Sequence, residues 1–126
     1  MPVETKIDLK RNLTVKTVSG NPSFEESITA FREFYEGPVT KYVLWDFNNA
    51  HFSSLTTDHI EAILDYIQQH APKRAGGKTA ILISKDLEYG MSRMAMALSE
   101  VKGIPFKMEV FRSLTEAERW LMSENL

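Results

Sequence analysis

The sequence predicts one α/β domain over residues 1–126, in the order β-β-α-β-α-β-α-β-α. The sheet is mostly parallel and five-stranded, with an antiparallel first strand. Three observations carry this. KYVLWDF (41–47) and KTAILIS (78–84) are apolar on both faces, as strands covered on both sides are. Segments with apolar residues at helical spacing alternate with those strands. The first two strands are joined by KRN alone, which is too short for a parallel crossover and suits a hairpin.

Each element follows from its own residues. VETKIDL (3–9) alternates strictly, with Val3, Thr5, Ile7 and Leu9 on one side, so it reads as an edge strand with one wet face. LTVKTV (13–18) is its hairpin partner. Ser23 with Glu26 forms a capping box that opens a helix, and Phe24, Ile28, Phe31 and Tyr35 line one face of it. EGP (36–38) stops it. The strand 41–47 ends in polar residues from Asp46, and a second helix runs from about 56 to 70 with Ile60, Ile63, Leu64 and Ile67 inward. A third helix spans about 86–101 on the stripe Leu87, Met91, Met94, Leu98 and Val101. FKMEVF (106–111) is the last strand. A final helix over 114–122 turns Leu114, Ala117 and Leu121 inward.

Composition narrows the function. The 126 residues suit a single core and contain no cysteine, which excludes disulfides, thiolate metal sites and cysteine nucleophiles. No apolar run has signal-peptide or membrane-span length, so a cytoplasmic protein without a membrane span is expected. A formal net charge of −2 argues against nucleic acid as a partner. The basic groups Lys16, Lys73, Arg74 and Lys78 read as solvated surface charge. GGKT (76–79) precedes a strand and lacks the upstream glycine of a phosphate-binding loop, so Gly76 and Gly77 are read as turn residues. His51, His59 and His70 lack ligand spacing; no metal and no cofactor is expected. Met91 and Met94 read as core, and Met96 falls off the stripe. Phe34, Tyr66, Tyr89 and Trp120 fall at or beyond stripe edges, where they could form a contact patch.

The chemistry-bearing stretch is WDFNNAHFSSLTTDHIEAIL (45–64). In open parallel sheets, ligands gather beyond the carboxyl ends of the strands. That rim would receive Asp46, Asn48, Asn49 and His51, then Ser53, Ser54, Thr56 and Thr57 at the start of the second helix. Asp86 and Arg112-Ser113 arrive from the next two strands, with Tyr89 and Arg93 on the third helix. Helix amides and the dipole favour an anion at such a start, and Arg93 would act as a clamp. As an N-cap alone, Thr56 contributes about 1 kcal/mol. Asp46, His51 and Ser53 or Ser54 also have the residue types of a hydrolase triad, though no GxSxG elbow is present.

With VLWDF, GKTAILIS, YGMSRM and VFRSLTEAERWL in this order, the chain resembles the STAS-like (SpoIIAA-like) superfamily. More specifically, it is similar to a group of small bacterial proteins within it, over about residues 13–121. Named members are antagonists of anti-sigma factors that are regulated by serine phosphorylation. The resemblance implies Ser53 or Ser54 as phosphoacceptor and a regulator or kinase-like protein as partner. The antagonists carry Asp-Ser-Ser/Thr-Gly-Leu at the second helix; here Phe52-Ser53-Ser54-Leu55 stands without that aspartate and glycine. A likeness to lipid-carrying Sec14-type domains lacks the extra helices of those proteins.

The sequence therefore points to a non-enzymatic cytoplasmic regulatory or binding module. It would recognise a protein partner or a small anionic ligand at the rim, under phosphorylation control. A second reading is a carrier of a small apolar or lipid-like ligand, in a pocket between the third helix and the sheet. A third is a small serine hydrolase. The edge strands leave a homodimer open.

Overall fold

The computed structural model describes residues 3–123. Strand β1 (Val3–Asp8) pairs antiparallel with β2 (Leu13–Gly20), and the hairpin turns at Asn12, whose φ of 53° asparagine tolerates. β3 (Tyr42–Ala50), β4 (Lys78–Leu82) and β5 (Lys107–Phe111) follow in parallel, giving the order β1-β2-β3-β4-β5. Helices α1 (Phe24–Glu36), α2 (Thr57–His70) and α3 (Asp86–Val101) connect the parallel strands, and α4 (Leu114–Met122) follows β5. The expected architecture is the one observed.

The strand order fixes the layers. Each new strand adds on the same side of its predecessor, so right-handed crossovers bring α1, α2 and α3 to one face. There Val18, Val43 and Trp45 meet Ala30, Phe34, Ile63, Leu64 and Ile67. Among the described residues the opposite face carries α4 alone, with Ala117 and Leu121 on Leu44, Ala80 and Leu82. α4 leaves β1 on that face uncovered, and Glu4 and Lys6 are exposed.

Several expectations are corrected. β3 does not end at Asp46; it continues to Ala50, because Asn49 and Ala50 pair with Ser19 and Gly20 across a register shift. Phe34 is buried in the core, so it cannot belong to an exposed aromatic patch. Tyr66, Tyr89 and Trp120 are half-buried and lie against His70, Arg112 and Phe111 respectively. α3 is rotated from its expected stripe: Leu87 and Val101 are 65% and 84% exposed, while Glu88, Ser92 and Ser99 are buried. Leu114 is exposed beside the buried Ala117 and Leu121, and Leu9, beyond the end of β1, is exposed as well.

The basic groups are corrected most. Lys16, Arg74 and Lys78 are buried, Arg74 at 3% exposure and Lys78 at 1%. Lys78 Nζ donates to the Trp120 and Ser123 carbonyls at 2.8 Å and so closes the carboxyl end of α4. Gly77 permits this crowding, since a Cβ there would collide with the Lys41 carbonyl oxygen.

Candidate functional site

The carboxyl rim assembles from β2, β3, β4 and the loop 51–56. Phe52 turns inward and its N–H donates to the buried Glu88 Oε2 at 3.3 Å. Leu55 N–H closes a tight turn onto the Phe52 carbonyl, and Thr56 then caps α2. The cap is reciprocal: the Thr56 hydroxyl accepts from His59 N–H at 3.2 Å, and Thr56 N–H donates to His59 Nδ1 at 3.1 Å. Phe24 stacks on that imidazole at 4.7 Å.

The expected rim residues fall into small groups. Ser53 Oγ accepts from Asn21 Nδ2 at 2.7 Å, and Ser54 N–H donates to Asn21 Oδ1. Asp46 Oδ1 accepts from Asn48 N–H, while Asn48 Oδ1 accepts from the Ser84 N–H and hydroxyl. His51 Nε2 lies 3.5 Å from Lys85 Nζ, which donates to the Ala50 carbonyl. Asp86 pairs with Arg112 at 3.0 Å, and that guanidinium covers the Tyr89 ring at 4.1 Å. Asn49 and Thr57 are exposed. Arg93 does not join this group; it reaches Glu109 on β5 at 3.9 Å.

This geometry changes what the rim offers. Among the described residues, no hydrogen bond joins Asp46 to His51 or His51 to Ser53 or Ser54. Asp58 stands in the first turn of α2, where its charge opposes an incoming anion. Among the described residues, no group of three or more His, Asp or Glu side chains could hold a metal. Asn21 and Lys85 were missed by sequence reasoning. The signal for Asn21 was available, because β2 is parallel to β3 and ends at the same rim.

The other candidate lies beneath α1, α2 and α3. A cavity of about 120 Å3 runs over the sheet floor formed by Val18, Trp45 and Ile81. It is comparable to the roughly 150 Å3 apolar cavity known to take benzene. Its walls are almost wholly apolar and include Phe34, Ile63, Leu64 and Met91. Glu26, in the first turn of α1, is the exposed residue among those around it and marks the mouth. The rotation of α3 contributes here, since it turns the small Ser92 and Ala95 toward the cavity in place of Leu87.

At the base stands Arg74, delivered by the turn Ala71–Arg74 after α2. Its Nε donates to the Thr40 carbonyl at 2.9 Å, and its Nη1 to the Thr79 hydroxyl at 2.8 Å. Nη2 donates to the Lys41 and Lys78 carbonyls at 3.0 and 2.9 Å. The guanidinium lies over the Phe106 ring at 4.4 Å and the Phe34 ring at 5.5 Å. Burial lowers its pKa, with neighbouring Tyr35 opposing the shift. Burial also raises the Tyr35 phenol, and the charge of Arg74 pulls it back. No protein-family model matches the chain, and no curated protein matches it.

Proposed function

We propose that the chain is a non-enzymatic binding module that holds a small apolar ligand in the cavity between its three crossover helices and the sheet. The observation that carries this is the cavity itself: about 120 Å3, nearly all apolar, with a mouth at Glu26. Close-packed interiors leave few voids of this size. One left empty costs about 3 kcal/mol at ~24 cal/mol per Å3, so a ligand that fills it is stabilised by the same contacts.

Two measurements test it. Native mass spectrometry of the purified protein should reveal a small non-covalent adduct. Titration with benzene should shift the resonances of Trp45 and Ile63. Ala30→Leu, which fills the space from α1, should abolish those shifts and raise stability by about 0.5–2 kcal/mol. Absence of both the adduct and the shifts would remove the proposal.

A second reading keeps the rim as a protein-docking surface under phosphorylation control, with the STAS-like antagonists as the pattern. It is favoured by the exposure of Ser53 and Ser54 and by the Asn21–Ser53 bond, which a phosphate would break. Phosphopeptide mapping of residues 51–57 tests it. An unmodified segment in cells that express a cognate kinase counts against it.

A further inference from the structure

The geometry points to a small monocarboxylic acid with an apolar body as the occupant of the cavity, its carboxylate turned toward Arg74 at the base. This rests on the reading of the cavity as a ligand site. Arg74 is almost fully buried, yet its hydrogen-bonded carbonyls and hydroxyl are neutral, and so at pH 7 is the neighbouring Tyr35 phenol, whose pKa is held above 10.0. Among the described residues, no carboxylate lies within ion-pair distance of it. Dipoles engage four of its five N–H donors but leave its full positive charge, and a buried charge is normally paired. Guanidinium is charged at every working pH.

The charge selects among ligands because the walls around it are apolar. In such surroundings a positive group acts over longer distances than in water. A cation would be repelled. A neutral apolar molecule would leave the charge uncompensated. A dianionic phosphate would bring one negative charge more than Arg74 can match. A monoanion with an apolar body meets both the base and the walls. Glu26 at the mouth does not block its entry, since it sits in water and is engaged by Ser23 N–H at 3.0 Å.

The experiment compares two ligands of nearly equal shape on the unaltered protein. Benzoate and benzamide are titrated at pH 7, with amide and indole resonances followed by NMR. Benzoate is expected to bind roughly tenfold tighter or more, with the largest shifts at Trp45, Thr79 and Phe106. Arg74→Gln, verified as folded by circular dichroism, should lose the preference and still bind benzamide. If that variant does not fold, the ligand pair on the unaltered protein decides alone. Benzamide binding as tightly as benzoate in the cavity would overturn the acid and leave the apolar-ligand reading standing. Benzoate shifts confined to the rim, around Lys85 and Arg112, would also overturn the acid. No binding of either compound would overturn both.

Discussion

At the carboxyl ends of the strands, Asp86 and Arg112 are wet and meet each other. At the amino ends, Arg74 and Lys78 are dry and meet the backbone. Asp86 and Arg112 form an exposed ion pair, and Lys85 stands beside His51. Arg74 and Lys78 are enclosed and bind five backbone carbonyls between them. Equal formal charges therefore do different work. The rim pairs gain little, because water competes for every partner. The buried pair of cations holds strand starts and a helix end in place, because its donors meet carbonyls that water does not reach.

The sharpest way to break this comparison is Arg74→Met. It takes the side-chain donor from the Thr40 and Lys78 carbonyls and one of two donors from the Lys41 carbonyl, and should cost about 3 kcal/mol or more in urea unfolding. A cost under about 1 kcal/mol would erase the distinction between the two ends. Thr56→Ala tests the rim where it is best bonded, and should cost about 1 kcal/mol from the lost cap. Arg112→Ala should change stability by less than about 0.5 kcal/mol, measured the same way.

A titration sharpens the same contrast. Tyr35, buried beside Arg74, is held above the ordinary phenol pKa of 10.0. The folded protein keeps a proton that the unfolded chain gives up, so this contribution to stability is present below pH 10 and declines as pH rises through it. In an absorbance titration Tyr35 should ionise above pH 10.0, and Tyr35→Phe should remove that late phase.

Local signals in the chain were sufficient for most of the architecture. The capping box at Ser23, the cap at Thr56 and the α2 stripe of Ile60, Ile63, Leu64 and Ile67 all stand where their residues place them. What local signals could not supply was satisfaction from afar. Arg74 is buried because Thr40, 34 positions away, offers a carbonyl. Lys78 is buried because Ser123, 45 positions away, does the same. Glu88 turns inward, and α3 with it, because Phe52 N–H awaits 36 positions back. Read alone, each of these residues belongs on the surface. The rim was legible in outline, since parallel strands ending in polar residues announce it. The cavity was anticipated as a pocket between the third helix and the sheet, but its base was hidden with Arg74.

The strand order has a kinetic meaning. Each parallel strand pairs with the one made just before it, so no strand waits for a later one to gain a neighbour. Each apposition still closes a crossover of 29 to 36 residues (Leu13 to Tyr42, Tyr42 to Lys78, Lys78 to Lys107), so pairing is slow at each step but can proceed strand by strand during synthesis. α4 arrives last and seals the reverse side, and Lys78, already in position from β4, receives its end.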